Sequence, residues 1–249
     1  MEMQSQDLHA NGPNYPLGNT ESELDEIMYR ISHDLRASVR ALQELPCWIV
    51  EDLEEAAIQL PGKSARHLKL LSSHATRLDA MLSGLLEYSR VGRMQQVELL
   101  NPSEILQDVL EDISISSRVT VHDLVADQLV RMGETDLKRV FAILVGNAIG
   151  FHPTHSPEIV VKAQALDSVN WQLEVTDDGP GIPEEVRHLI FMPMSKLVSR
   201  DQEDGAGMGL AILKKIVRTY GGKVDVRTAA SGKGTTFTVI LPVLSSTAE

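Results

Sequence analysis

The sequence predicts an α+β protein in which an antiparallel helical hairpin precedes a two-layer α/β domain. Apolar residues recur at steps of three and four from residue 21 to 60 and again up to Tyr88, which indicates two long amphipathic helices. Further along the chain, segments with apolar residues at helical spacing alternate with segments in which apolar and polar residues alternate as in strands. This pattern is typical of a domain of helices packed on a sheet. The predicted division is a flexible tail over 1–20, a hairpin over 21–92 and an α/β domain over 93–249.

The first long helix carries a heptad-like apolar seam that suits a helical bundle. Pro46 interrupts the seam and is expected to kink the helix or break its hydrogen-bond ladder. The seam comprises Leu24, Met28, Ile31, Leu35, Ser38, Leu42, Leu45, Ile49, Leu53, Ala56 and Leu60.

A second helix follows the turn sequence Pro-Gly-Lys-Ser-Ala at 61–65 and carries a seam of its own, with Leu68, Leu71, Ala75, Leu78, Leu82 and Leu85. A short turn between two long helices predicts an antiparallel hairpin. Because two helices cannot enclose a core alone, we expect hairpins from two chains to form a dimeric four-helix bundle.

The region beyond the hairpin contains several candidate elements. Asn101 or Ser103 caps a helix over 101–113, and a proline opens a short helix over 183–191. The last two strands flank the turn sequence Ser-Gly-Lys-Gly and form a hairpin, so the sheet is expected to be mixed. Further helices are predicted over 137–151 and 210–222, and strands over 118–124, 158–166 and 170–177.

Charge and composition exclude several classes of function. The formal net charge of −12 argues against non-specific binding to nucleic acid or to an anionic membrane. A single cysteine, Cys47, excludes a disulfide framework and favours a reducing compartment. No apolar run approaches the ~20 residues that span a bilayer, and no signal peptide is visible. We therefore expect a soluble cytoplasmic protein.

The sequence His-Asp-Leu-Arg at 33–36 lies at the centre of the first helix. His33 falls midway between Ile31 and Leu35, and about 100° of rotation per residue places it on the side opposite the seam. The pattern thus predicts an exposed imidazole beside the carboxylate of Asp34, which is a plausible nucleophile. An exposed histidine on such a helix is more often an ordinary polar surface residue. The sequence further along the chain therefore has to distinguish a nucleophile from a surface histidine.

The sequence Asp-Asp-Gly-Pro-Gly-Ile-Pro at 177–183 follows a predicted strand. Gly179 and Gly181 allow the backbone to turn tightly and to approach a ligand closely. Asp177 offers a fixed carboxylate acceptor at the end of the strand. The alternative is an ordinary Asp-Gly turn.

Two further features suit a nucleotide with its metal ion. The sequence Gly-Ala-Gly-Met-Gly-Leu-Ala-Ile at 205–212 is a glycine-rich loop that runs into a helix, where backbone N–H groups can hold phosphate oxygens. Asn147, in a helix between Gly146 and Gly150, offers an amide oxygen suited to Mg²⁺. Each feature is weak alone, but their order and spacing together are specific.

These motifs in this order resemble the ATP-binding domain of sensor histidine kinases and their gyrase-like ATPase relatives. The sequences at 33–36 and 85–92 are similar to the dimerisation and phosphoacceptor domain of the same kinases, and 190–224 is particularly similar to phytochrome-type kinases. The resemblance covers roughly residues 21–243.

The resemblance implies a protein histidine kinase that autophosphorylates His33 with Mg-ATP and transfers the phosphoryl group to an aspartate of a response-regulator receiver domain. Asp34 would orient the imidazole, Asn147 would bind Mg²⁺, and Asp177 would accept a hydrogen bond from the adenine amino group. Gly179 and Gly181 would shape the adenine pocket. Gly205, Gly207 and Gly209 would hinge an ATP lid over 192–204 and meet the phosphates.

Two departures from the family pattern lie beside the phosphoacceptor. Ala37 stands where the family often has Thr or Asn, which predicts weak or absent dephosphorylation of a response regulator. Ser38 stands where the family usually has a proline, and Pro46 is then a possible source of the bend.

Two more departures lie in the segment around Asn147. Gly150 replaces a lysine that contacts phosphate, and Ile143 replaces an earlier asparagine. Low ATP affinity is therefore expected unless a nearby cation compensates; the candidates are Lys138, Arg139 and Lys196.

Two alternatives to the kinase stay open. The first is a histidine phosphotransfer adaptor with a non-catalytic kinase-like domain, and the second is a nucleotide-switched binding module that performs no phosphotransfer. For the kinase, the 20-residue tail is too short for a sensor domain, so input is expected from a separate sensor protein or from the rest of a larger kinase. The response regulator is expected to dock on the helical bundle near His33.

Overall fold

The fold was determined as a computed structural model that describes residues 17–93, 95–113, 118–126, 128–195 and 206–242. The first helix, α1 (Leu17–Glu55), begins four residues before its predicted start, and the rest of the predicted flexible tail lies outside the described residues. The second, α2 (Gly62–Arg90), begins inside the segment predicted as a turn. Helix α1 continues through Pro46 and does not end there.

Helices α1 and α2 form the predicted antiparallel hairpin, but the apolar seam of α1 does not face α2. The side chains buried on α1 are Ser32, Val39 and Pro46, which lie one residue away from the seam. Ile31 and Leu35 of the seam remain 53% and 48% exposed. A shift of one residue rotates the contact face by about 100°, so the most apolar stripe of α1 stays uncovered within one chain.

The described part of the α/β domain contains two sheets and three α-helices. Its main sheet has the strand order β2-β4-β5-β7-β6, in which β2 runs parallel to β4 and the other neighbours are antiparallel. A separate antiparallel pair joins β1 to β3. The elements are β1 (Val97–Leu100), α3 (Pro102–Asp112), β2 (Thr120–Val125), β3 (Val130–Gly133), α4 (Glu134–Gly150), β4 (Glu158–Ala165), β5 (Asn170–Asp177), α5 (Gly209–Thr219), β6 (Lys223–Thr228) and β7 (Thr235–Pro242).

The three helices pack on one face of the main sheet, and the predicted two-layer α+β architecture with a mixed sheet is confirmed. Alternate residues of the central strands face this core, so each strand has a buried side and a more polar one. Asn101 caps α3 as predicted, its side chain accepting a hydrogen bond from the Ser103 N–H. The fully buried large side chains include Trp171, Phe141, Leu144, Ile159, Leu173, Leu213 and Ile216.

One prediction about local structure is wrong, and two strands were missed. The segment 183–191 contains only a 3₁₀ turn, Glu184–Val186, because its backbone bonds span three residues and not four. Strands β1 and β3 were not predicted, since each has four residues and its partner lies about 30 positions away in the chain.

A buried carboxylate ties the hairpin to the α/β domain. Asp136, fully buried in the first turn of α4, accepts hydrogen bonds from the Gly92 N–H and the Tyr220 hydroxyl, both at 3.0 Å. Arg139 donates to the other oxygen of Asp136 at 3.2 Å and to Glu87 of α2 at 2.9 Å. Burial, together with Asp136, raises the pKa of Tyr220 to about 12, so the hydroxyl stays a donor.

In the described part of the chain, no helix is both long enough and apolar enough to cross a membrane.

Candidate functional site

His33 lies exposed on the hairpin, as the sequence predicts. Its side chain is 72% exposed, and its Nδ1 lies 3.3 Å from Oδ1 of Asp34. A carboxylate at Nδ1 favours the tautomer with the proton on that nitrogen, which leaves a free lone pair on Nε2. The described part of the α/β domain therefore leaves this imidazole open to a second reactant.

Asp177 lies at the end of β5 and holds the loop that follows. Its Oδ1 accepts hydrogen bonds from the Gly179 N–H at 2.8 Å and from the Thr235 N–H at 3.2 Å. Among the described residues, Oδ2 has no such partner and can accept from a ligand. Burial raises the pKa of Asp177 above the ordinary aspartate value, although its two hydrogen bonds act in the opposite direction.

Sequence reasoning missed the contribution of the β6–β7 turn to this pocket. Gly234, with φ at +93°, packs so closely on the carbonyl of Asp177 that a Cβ would overlap that oxygen. A Cβ on Gly181, which has φ at +79°, would lie 3.3 Å from the carbonyl oxygen of Gly234. The available signal was the glycine directly before a strand in Gly-Lys-Gly-Thr-Thr, but only the fold shows that this turn meets Asp177.

The glycine-rich loop reaches the site at the start of α5. Gly207, with φ at +67°, approaches the backbone of Ser195 so closely that a Cβ would lie 2.7 Å from its carbonyl oxygen. A Cβ on Gly209 would lie 3.4 Å from Ile143, one turn before Asn147 on α4. Gly205 and most of the predicted lid, 196–204, lie outside the described residues.

The end of α4 provides the other wall. The Nδ2 of Asn147 is buried and has no hydrogen-bond partner in the described part of the protein. An amide N–H that the protein leaves without an acceptor is available to an acceptor of a ligand, and the amide oxygen is a ligand type that suits Mg²⁺. Among the described residues, no group of three or more His, Cys, Asp or Glu side chains could hold a metal ion.

His152, just beyond α4, connects this helix to the Asp177 loop. Its Nδ1 accepts from the Thr154 and Ser156 N–H groups at 3.4 and 3.3 Å, and its Nε2 lies 3.5 Å from Asp178. Asp178 also accepts from the Glu158 N–H at 3.0 Å. His152, which the sequence analysis did not single out, thus links the end of α4 to Asp178, and Asp178 links the Asp177 loop to β4.

Two of the cations proposed to replace the missing lysine are already engaged. Lys138 lies 2.8 Å from Glu134 and 3.0 Å from Asp108, and these hydrogen bonds raise its pKa. Arg139 is held by Glu87 and Asp136. The third candidate, Lys196, lies outside the described residues.

The chain was compared with known protein families, curated proteins and solved structures. Residues 132–245 match the family of histidine kinase-, DNA gyrase B- and HSP90-like ATPases. Sensor protein KdpD of Rathayibacter rathayi is 29% identical over 241 residues, 94% of this chain, so the similarity includes the hairpin. These matches support a sensor histidine kinase catalytic core.

This catalytic core is also 30% identical to Cyanobacterial phytochrome B of Nostoc sp. (strain PCC 7120 / SAG 25.82 / UTEX 2576) over 229 residues, 90% of the chain. The core spans 27% of KdpD and 30% of the phytochrome, less than a third of either relative. Relatives of the phytochrome type agree with the similarity predicted from 190–224.

Solved histidine kinases share the two-part fold of the core. Full-length ShkA in complex with AMPPNP has a TM-score of 0.62 and 23% identity, covering 90% of this chain and 47% of ShkA. ThkA in complex with the response regulator TrrA has a TM-score of 0.61 and 21% identity, covering 90% of this chain and 64% of ThkA. At these identities the likeness concerns the fold alone.

The predicted site residues that the structure describes therefore lie in two separate groups. Asp177, Gly179 and Gly181 lie together, and Gly209 meets the α4 face that carries Asn147. His33 and Asp34 lie apart on the hairpin. The second group presents an exposed imidazole, and the first combines backbone N–H groups with the carboxylate of Asp177.

Proposed function

We propose that this chain is the core of an ATP-dependent protein histidine kinase, which autophosphorylates His33 and passes the phosphoryl group to an aspartate of a response regulator. The observation that carries the proposal is an exposed imidazole, ordered by Asp34, on the same chain as an ATPase-family site. Because ATP is the donor, we place the reaction in the cytoplasm. The proposed division is a phosphoacceptor hairpin over 21–92 and an ATP-binding domain over 93–249.

The imidazole of His33 supplies the nucleophile. Its Nε2 lone pair attacks the γ-phosphorus, a P–N bond forms, and the bond from phosphorus to the bridging oxygen of ADP breaks. Positive charge then develops on the ring, and Asp34, 3.3 Å from Nδ1, stabilises it and accepts the Nδ1 proton.

The ATP site binds and orients the nucleotide. Oδ2 of Asp177 accepts a hydrogen bond from the adenine amino group, and the tight backbone at Gly179 and Gly181 shapes the base pocket. The start of α5 and its preceding glycines offer N–H groups to the phosphates. Asn147 would hold Mg²⁺, which when bound neutralises charge on the phosphates.

The decisive experiment is an autophosphorylation assay with γ-labelled ATP and Mg²⁺. Wild-type protein is expected to acquire acid-labile, alkali-stable label, while His33→Ala acquires none, because no other group replaces the imidazole. Exposed His67, also on the hairpin, supplies the matched control: His67→Ala should label like wild type. Label retained in His33→Ala, or no label on the wild type, contradicts the proposal.

We propose that the response regulator docks on the hairpin surface around His33. Phosphotransfer requires the receiver aspartate to reach the phosphoimidazole, and the high exposure of His33 and Asp34 leaves room for it. The ThkA structure contains the response regulator TrrA, which supports a partner of this class.

We also propose that the core forms a homodimer through the hairpin. Large apolar side chains of α1 and α2 are exposed in the single chain, and a second hairpin would cover many of them. They include Ile27, Ile31, Leu35, Leu42, Leu45, Ile49, Leu71 and Leu78.

A charge in this seam is expected to break the dimer. Ile31→Glu places an unpaired carboxylate on each side of the interface, so the dimer dissociation constant should rise at least about a hundredfold. Light scattering after size-exclusion chromatography measures the change. Leu124→Glu, at an apolar residue on β2 with similar exposure, should remain dimeric. Dimeric Ile31→Glu would exclude this interface.

The engaged cations favour one second candidate, the phosphotransfer adaptor. Gly150 has no side chain, and Lys138 and Arg139 are paired elsewhere, so among the described residues these positions offer the phosphates no free cation. In that case His33 would accept phosphate from another protein. Labelling of wild type from a phosphorylated regulator, but not from ATP, would support the adaptor.

Restoring the lysine is expected to strengthen ATP binding. A Cβ at Gly150 meets no atom within 4 Å, so Gly150→Lys begins its side chain in open space. One charge-assisted bond to phosphate should lower the ATP dissociation constant about tenfold. Gly150→Ala strengthens the end of α4 without adding charge and should bind ATP like wild type. Equal affinities of the two variants in calorimetry would contradict the expectation.

A further inference from the structure

We propose that Tyr29 is a positioning residue that sets the plane of the His33 imidazole for phosphoryl transfer. The inference rests on the proposed function of His33. Tyr29 lies one turn before His33 on the same face of α1, and the two rings are nearly parallel, with centroids 6.4 Å apart and an interplanar angle of 24°.

The two neighbours of His33 restrain different motions of its ring. Asp34 contacts Nδ1 at the ring edge and limits rotation within the ring plane. Tyr29 lies beside the imidazole with its ring in a nearly parallel plane, and this stacking limits tilting of the imidazole plane. Together they define the direction in which Nε2 points.

Control of the plane matters because the attacking lone pair lies in it. In-line displacement at phosphorus requires that lone pair to point along the new P–N bond. An imidazole that is 72% exposed would otherwise change rotamer rapidly, and only some rotamers would be productive.

Arg90, at the end of α2, supports Tyr29 from the other helix. Its guanidinium carbon lies 5.6 Å from the centroid of the Tyr29 ring, within the range of a cation–π contact. These contacts form a row that runs from α2 to α1, from Arg90 through Tyr29 to His33. Since the Tyr29 ring, and not its hydroxyl, makes both contacts, phenylalanine should replace it.

The test measures single-turnover autophosphorylation of the full chain over a range of Mg-ATP concentrations up to saturation. Tyr29→Ala is expected to lower the rate constant about fivefold, within the range that aromatic stacking supplies, and to leave the KM for ATP unchanged. Tyr29→Phe should retain the wild-type rate constant. The rate constant of Arg90→Ala should lie between those of the wild type and Tyr29→Ala. Wild-type speed in Tyr29→Ala, or an equal loss in Tyr29→Phe, would overturn the proposal.

A second measurement reports ring order directly and does not depend on kinase activity. In protein with ¹³C-labelled histidine, the order parameter of the His33 ring should fall in Tyr29→Ala and stay unchanged in Tyr29→Phe, with His33→Ala assigning the signal. An unchanged order parameter in Tyr29→Ala overturns the positioning role. Absence of label in the wild type would instead overturn the kinase function, so the two failures are distinguishable.

Discussion

Asp136→Ala is expected to destabilise the kinase core by about 3 kcal/mol, within the range for breaking a buried, paired carboxylate. The change leaves the Gly92 N–H and the Tyr220 hydroxyl without the fully buried carboxylate that accepts from both. Arg139 would keep only Glu87 as a charged partner. Because these groups belong to three elements, the loss should also loosen the hairpin from the ATP-binding domain.

Thermal unfolding measures this effect. For a protein of this size, about 3 kcal/mol corresponds to a fall of roughly 6–12 °C in Tm. The matched control is Asp167→Ala, since Asp167 also accepts hydrogen bonds from two backbone N–H groups but lies in an exposed turn. Its Tm should change far less. Equal shifts in the two variants would show that burial of Asp136 is not the cause.

Asp136 also illustrates what the sequence could not reveal. Its place near the start of a predicted helix suggests only a favourable interaction with the helix dipole. Its partners, Gly92 and Tyr220, lie 44 and 84 residues away, and no periodicity connects positions so distant. Strands β1 and β3 escaped prediction for the same reason, because each is short and is defined by a remote partner.

Local patterns predicted the elements better than they predicted the contacts. The seam of α1 was read correctly as helical and apolar, and His33 is exposed as its angle from that seam required. The pattern could not specify which neighbour covers the seam. Within one chain α2 packs against the adjacent face around Ser32 and Val39, so the more apolar stripe remains available to a second hairpin.

The motifs of the proposed ATP site were predictable because each is contiguous and chemically distinct. The loop 177–183 and the helix start at Gly209 stand where the sequence placed them. The turn at Gly234 completes the pocket from 57 residues beyond Asp177, and only the pairing of β5 with β7 brings the two together.

Gly234→Ala is expected to be the most damaging single substitution in the pocket. The residue has φ at +93°, which disfavours any side chain, and its added Cβ would overlap the carbonyl oxygen of Asp177. The turn must therefore move away from β5 and take with it the Thr235 N–H that donates to Asp177. We expect a loss of about 3–5 kcal/mol in stability and at least about a tenfold loss in ATP affinity.

Gly232→Ala separates backbone strain from disruption of the pocket. Gly232 lies in the same turn with φ at +80°, but a Cβ there meets no atom within 4 Å. Its substitution should cost about 1–2 kcal/mol from the left-handed conformation alone and leave ATP affinity unchanged. Calorimetric titration of ATP into both variants, at a temperature where both remain folded, makes the comparison. If Gly234→Ala binds ATP as tightly as Gly232→Ala, the turn contributes only to folding, and Asp177 holds its geometry without the Thr235 N–H.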